Sequence, residues 1–379
     1  MPVLTSDTRI YPSITQQTTW PCRFFNFGKM QSPTVCYFNC GLVERPDGLW
    51  LVTRRSRNEK GVKIGFNDIM CFLLDANLTP IHAVQTKFHH FFDREHFEDP
   101  RAIYHRGITY ISACNFVVLN GGRGWTGAHQ VLNVIGRMES RNTWISNERI
   151  DPVYGNNGNT IGKDIGAEKN WLWFFHQDNL YMVYSTDPHI VCRFSPGGVF
   201  EQEYKTENPK PLDWKYGTIR GGTPPAMTKD GAEYVSFFHS SLPDDTYHRR
   251  YYMGAYAFES QPPFRITRYT PDPLLAGSPQ DIWFKGKPLV VFPCGSRLRD
   301  EKWLVTMGIN DLASAWIEIP HDDLQKRMVD VYTPPNKKRF FFDGNGGLQT
   351  SPCSSLRIET PDWRSIRSKY RRPTQDLTP

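Results

Sequence analysis

One short plan recurs five times along the chain and limits what it can fold into. Each copy has a polar anchor, an apolar strand, a tight turn and a second strand rich in aromatic residues. The first copy runs Tyr37-Phe38-Asn39-Cys40-Gly41-Leu42-Val43-Glu44, turns at Pro46-Asp47-Gly48 and returns through Leu49-Trp50-Leu51-Val52-Thr53-Arg54-Arg55. The second is anchored at Asp99, turns at Arg106-Gly107 and returns through Thr109-Tyr110-Ile111-Ser112. The third opens on Glu168-Lys169-Asn170, turns at Gln177-Asp178-Asn179 and enters residues 180–185. The fourth, Arg220-Gly221-Gly222-Thr223-Pro224-Pro225, turns at Lys229-Asp230-Gly231 into residues 234–239. The fifth, residues 290–295, turns at Arg299-Asp300 into residues 303–308 and ends on Asn310-Asp311.

A repeat of roughly 50–70 residues built from paired strands has the size of a propeller blade. A long β-sandwich also contains hairpins, but it gives no reason for polar anchors to recur at one point of each. The expected fold is all-β, a five-bladed β-propeller. Residues 37-333 would form the catalytic domain, 1-36 an N-terminal extension, and 334-379 a closing segment with a basic tail. The 29 glycines, 29 prolines and 14% aromatic content suit many short strands joined by tight turns. Helical periodicity is confined to short stretches such as residues 321–331. Residues 120–163, rich in Gly and Asn, read as a long irregular insert, a kind of segment that is usually functional or mobile.

A net charge of +6 is modest for 379 residues with interleaved acids. The only dense basic run, residues 364–372, reads as a solvated tail, so no nucleic-acid partner is expected. A mild positive field still favours phosphate or phosphosugar ligands. Residues 1–14 lack the basic and apolar regions of a signal peptide, and no run is long enough to span a bilayer. The expectation is a cytoplasmic chain with no membrane partner. The eight cysteines are scattered, and Cys36 with Cys40 lacks zinc-ligand spacing, so neither a metal nor another cofactor is expected.

If the copies are blades, Asn39, Arg54, Asp99, Lys169, His239 and Asp311 crowd one end of the channel. Each alone has an ordinary structural role: a strand arginine, a solvated lysine, a core histidine, a turn aspartate. Their recurrence at equivalent hairpin positions sets them apart. Glu98-Asp99-Pro100-Arg101 is the sharpest piece, because proline fixes φ between two opposite charges. Hydrolysis of a glycosidic bond usually needs two carboxylates. When inorganic phosphate is the nucleophile the base becomes unnecessary, and cations must instead hold the dianion. One acid, Asp99, with Lys169 and His239 nearby fits that second arrangement. The same cations also suit a phosphosugar donor.

On these residues the chain resembles, over residues 37–324, the β-mannoside phosphorylases of glycoside hydrolase family 130 and their mannosyltransferase relatives. The motifs that carry the resemblance are Glu98-Asp99-Pro100-Arg101, residues 221–225 with Phe238-His239, and residues 290–295 followed by 308–311. The resemblance implies a five-bladed propeller enzyme that carries out inverting phosphorolysis, or the reverse synthesis, of β-mannosides. Its partners would be an oligosaccharide or glycoside and inorganic phosphate or a phosphosugar. Asp99 matches the proton donor, which acts through a sugar hydroxyl. Asn39, Arg54 and Asp311 match residues that hold the mannosyl unit, and Arg55 and Arg101 are counted with them as substrate-binding candidates. Glu98 and Arg101 would also hold Asp99 in place. Lys169, His239 and Tyr251 match the phosphate ligands, with Arg149 a candidate for a further one. The chain departs from the family at Asn170, where the pattern is Lys-Asp, and at Ala113-Cys114-Asn115. The alternatives are a glycosyltransferase of the same fold using a sugar-nucleotide or sugar-phosphate donor, a β-mannoside hydrolase with Glu148 or Asp151 as base, and a non-catalytic sugar-binding propeller.

Overall fold

The computed structural model describes residues 12–32, 34–57, 66–87, 95–118, 125–135, 137–140, 143–145, 148–150, 170–206, 212–281 and 289–331. Strands dominate, and their local chemistry is visible in the turns between them. Arg106 and Gly107, Gln177 and Asp178, and Asp300 and Glu301 all have positive φ. Two successive left-handed residues give a turn whose twist matches that of the flanking strands, so each closes a tight hairpin.

Among the described residues the strands form five sheets. The first pairs Val35–Arg45, Gly48–Arg57, Phe66–Leu74 and Pro80–Lys87 in sequence order. The second begins with Glu95–His105 and Ile108–Val118, and the third with Leu172–His176 and Asn179–Ser185. In the fourth, two short strands, Arg220–Gly221 and Ala226–Met227, both pair with Glu233–Asp244, which pairs in turn with His248–Glu259. The fifth pairs Val291–Arg299, Lys302–Ile309 and Ala313–Pro320, and its fourth strand is Cys22–Phe24, with Cys22 opposite Ile317. A segment expected to be an extension therefore completes the last sheet. Residues 334–379, expected to close it, lie outside the described residues.

Strand Gly48–Arg57 explains why these strands do not alternate polar and apolar. Leu49, Trp50, Leu51 and Val52 are all buried. Alternate side chains point to opposite faces, and here both faces are covered. Trp50 and Val52 pack with Phe97, Ile111 and Ala113 of the second sheet. Leu49 and Leu51 pack with Leu304 and Trp316 of the fifth. The second sheet meets the third through Ile103, Tyr110, Trp171 and Trp173. Leu172 and Phe174 join Tyr234 and Phe238 between the third and fourth. Phe237 and Met253 meet Trp303 and Val305 between the fourth and fifth. The sheets approach so closely that a Cβ on Gly295 would lie 2.2 Å from the Leu42 nitrogen. Only glycine permits that backbone approach.

Residues 120–163 are less irregular than their composition suggests. They carry strands Trp125–Ile135, Arg137–Ser140, Thr143–Ile145 and Glu148–Ile150. Thr143–Ile145 adds to the first sheet in parallel with Pro80–Lys87, and Glu148–Ile150 adds to the second. The single α-helix among the described residues, His321–Arg327, stops short of residue 331 because Val329–Asp330 pairs with Ile266–Tyr269. No helix among the described residues is long and apolar enough to cross a membrane.

Candidate functional site

The first strands of the first and second sheets share an irregularity. Register shifts between Phe38 and Gly41 in one and between Glu98 and Arg101 in the other. Such a bulge re-aims the side chain it carries. The residues it re-aims are Asn39 and Asp99, with φ of 49° and 53°. Asn and Asp tolerate this left-handed region better than other side chains, which is a local reason for these residue types. The two side chains meet, Asn39 Nδ2 donating to Asp99 Oδ1 at 2.7 Å.

Arg54 lies opposite Phe38 on the next strand and rests over its ring, 4.7 Å from the centroid. Its guanidinium reaches Glu98 Oε1 at 2.6 Å and Asp99 Oδ1 at 3.4 Å. Asn67 Nδ2 also donates to Glu98 Oε1, at 2.9 Å. Asp99 is 4% exposed, so this network lies largely out of solvent, where charged hydrogen bonds are strong.

Arg101 has a different place. It is 2% exposed. Its guanidinium donates to the carbonyls of Asp99 at 3.1 Å and Gly221 at 3.2 Å, to the Gly222 carbonyl, and to Asn170 Oδ1 at 3.2 Å. It also lies 5.5 Å from the centroid of Phe292. One side chain thus touches residues of the second, third, fourth and fifth sheets or their leading residues. A buried cation satisfied largely by carbonyls is a structural pin.

Beyond Phe292 the same centre continues to His239, whose ring centroid is 4.4 Å from that of Phe292. His239 in turn lies 6.1 Å from Tyr251 at an interplanar angle of 14°. His239 and Tyr251 come from the paired long strands of the fourth sheet. Asp311, half-buried with φ of 53°, sits in the turn after Lys302–Ile309. Its neighbour Asn310 fixes that turn through Val290 and Ser278. The Cys294 thiol reports what surrounds it. Burial pushes its pKa well up, the Arg101 charge opposes this, and Cys40, Asp99 and Asp311 add to it.

Asn39, Arg54, Asp99 and Arg101 are therefore linked directly, and Phe292 connects them to His239 and its neighbour Tyr251, with Asp311 in electrostatic reach of the same core. Arg55 is not brought to Asp99. It lies one residue from Arg54, on the other face of the strand, and grips both oxygens of Asp68. Lys169 and Asp151 lie outside the described residues. So do the side chains of Glu148 and Arg149, although their strand is described. Asn170, next to Lys169, is held at φ 72° and by Arg101. Asn67 and Phe292 were not singled out from the sequence. Phe292 stood inside the fifth repeat, whereas Asn67 carries no local signal, since only the pairing of its strand with Gly48–Arg57 brings it to Glu98.

Solved structures that share this all-β fold of several sheets include GH130 mannoside phosphorylases. A β-1,2-mannobiose phosphorylase from Listeria innocua, solved with β-1,2-mannobiose, is 14% identical, with a TM-score of 0.55 over 79% of this chain and 94% of its own. A mannose phosphorylase from Leishmania mexicana, solved with phosphate, is 12% identical, with a TM-score of 0.50 over 82% and 92%. A GDP-Man-dependent mannosyltransferase from Leishmania mexicana is 13% identical, with a TM-score of 0.51 over 81% and 91%. No family model matches the chain. No curated protein matches it in sequence.

Proposed function

We propose that this chain is a five-bladed propeller enzyme, with residues 37-333 as its catalytic domain, that transfers a mannosyl unit between a β-mannoside and phosphate with inversion. The observation that carries this reading is the hydrogen-bonded centre at Asp99, where Asn39 and Arg54 both donate to Oδ1. The chain of sheet contacts, from first to fifth and from fifth back to first, supports the propeller.

In this reading Asn39, Arg54 and Asp311 hold the mannosyl ring, and Lys169, His239 and Tyr251 hold phosphate on its opposite face. A phosphate oxygen attacks C1, the bond from C1 to the bridging oxygen breaks, and the Asp99 proton reaches that oxygen through a sugar hydroxyl. The products are a mannose 1-phosphate of inverted configuration and the shortened acceptor. No second carboxylate is needed, because phosphate arrives already ionised. Arg101 and Glu98 position Asp99, and Arg55 braces the strand that carries Arg54. The seven described cysteines are free, which suits a reducing, cytoplasmic setting.

The transferase reading is supported by the mannosyltransferase among the structures with this fold. One assay separates the readings: β-mannobiosides of defined linkage, incubated with and without phosphate. Phosphate-dependent release of mannose 1-phosphate supports phosphorolysis. Release of mannose without phosphate means hydrolysis, and consumption of GDP-mannose alone means transfer.

A further inference from the structure

The site end of the fourth sheet has a second face, and it carries chemistry that the reaction at Asp99 does not use. Along Glu233–Asp244 and His248–Glu259, Ser240 lies opposite Tyr252, one residue along from His239 and Tyr251. Side chains alternate in a strand, so Ser240 and Tyr252 project on the face opposite His239 and Tyr251. Residues 212–219 lie over that face. Trp214 Nε1 donates to Ser240 Oγ at 2.8 Å, and Ser240 Oγ donates to the Tyr216 carbonyl at 2.7 Å. The Gly217 backbone presses so tightly on Ser241 that a Cβ would lie 2.3 Å from its carbonyl oxygen.

This loop sets three half-buried rings in a row. Trp214 and Tyr216 have centroids 5.0 Å apart, and Tyr216 and Tyr252 are also 5.0 Å apart. Trp214 is backed edge-on by Phe238 at 4.8 Å. Tyr216 donates its hydroxyl to Asp272 Oδ1 at 3.1 Å, and the Arg250 guanidinium lies over the Tyr252 ring, 5.6 Å from its centroid, with Nε donating to the Gly277 carbonyl at 3.1 Å. Aromatic rings tilted 58° and 49° to one another, with a carboxylate at one edge and a guanidinium over Tyr252, offer the apolar surface and polar partners that suit a pyranose ring. A sugar offers C–H bonds on one face and hydroxyls around its edge.

We propose that Trp214, Tyr216 and Tyr252, with Arg250 and Asp272 beside them, form a carbohydrate-stacking shelf that takes a sugar unit of a chain extending outward from the ring held at Asp99. The proposal rests on the reading of Asp99 as a glycoside site. The shelf lies on the face of the fourth sheet opposite His239 and Tyr251, at the same end of the strands, where Arg220 pairs with His239 along the sheet edge. The shelf therefore selects chain length while leaving bond cleavage unchanged.

The test is calorimetric titration of the Asp99→Asn protein with β-1,2-, β-1,3- and β-1,4-linked manno-oligosaccharides of two to five units. Affinity is expected to rise with length in at least one series. Adding Tyr216→Ala should weaken the longer sugars about tenfold and spare the disaccharide. Tyr216→Phe, which keeps the ring and loses the bond to Asp272, should recover most of the affinity. Affinity independent of length in all three series overturns the shelf, as does equal weakening of every length. Loss of GDP-mannose binding alone in Tyr216→Ala would also overturn it, since the rings would then serve a nucleobase. Turnover of wild-type protein, measured separately, tests the reaction at Asp99 without touching this result.

Discussion

Asn39 and Asp99 occupy the same bulge in successive sheets, both in the left-handed region, and one donates to the other at 2.7 Å. The amide thus holds the carboxylate through Oδ1. Orientation of this kind matters in general acid catalysis, where the proton must lie within hydrogen-bond reach of the leaving oxygen.

Asp99→Asn should therefore keep the fold and lose the reaction. The asparagine carbonyl can still accept from Asn39, so the melting temperature should hold. Turnover of a natural β-mannoside should fall about 10²–10⁴-fold, with a much smaller loss on a nitrophenyl mannoside whose leaving group needs no proton. Equal losses on the two substrates would remove Asp99 from the proton-donor role.

Gly308→Ala tests the Asn39 contact from behind. A Cβ there would lie 1.8 Å from Asn39 Oδ1, so the amide must leave Asp99. Activity should drop at least about tenfold, and Asn39→Ala should add little on top of it, as expected for residues acting through one contact. Additive losses measured by kcat/KM would show that Gly308 acts elsewhere.

Arg101→Met probes the pin rather than the chemistry. Its removal leaves three carbonyls and the Asn170 oxygen without their buried donor. The cost should be about 3–5 kcal/mol in denaturant unfolding. Arg101→Lys should recover little, because one ammonium cannot reach all four acceptors. An unchanged midpoint would mean that the sheets hold together without it.

His189 predicts an acid limit to stability. It is fully buried, its Nδ1 lies 2.8 Å from the Phe264 carbonyl, and burial lowers its pKa from 6.5 to about 4. The folded state therefore resists a proton that the unfolded chain accepts. Stability from this group is complete above pH 6.5 and is lost as pH falls toward 4, about 3 kcal/mol in all. His189→Asn should flatten the unfolding free energy across that window, and an unchanged slope would assign acid sensitivity to other groups.

Much of this organisation could be read from the residues. The hairpins showed because their turns carry left-handed residues, and the anchors showed because Asn and Asp are the side chains that a left-handed bulge accepts. Arg55 illustrates a signal that was available: strand alternation separates it from Arg54, and Asp68 sits opposite it in register. Other features had no local trace. Strand Cys22–Phe24 is too short for periodicity, and strands within residues 120–163 are masked by Gly and Asn. Arg101 reads as a charge beside a carboxylate, and only long-range packing turns it into a pin through the backbone of other sheets.

The pairing of Cys22–Phe24 with Ala313–Pro320 has a consequence for how the molecule comes into being. A nascent chain leaves the ribosome with residue 22 first, yet its partner, residue 317, follows about 300 residues later. The first sheet can pair its own strands early, whereas the last stays one strand short until the early segment is recaptured. That clasp ties two segments about 300 residues apart into one sheet. Its loss would loosen the first and fifth sheets together, because Phe25 and Phe27, just beyond the strand, pack in the cluster those two sheets share.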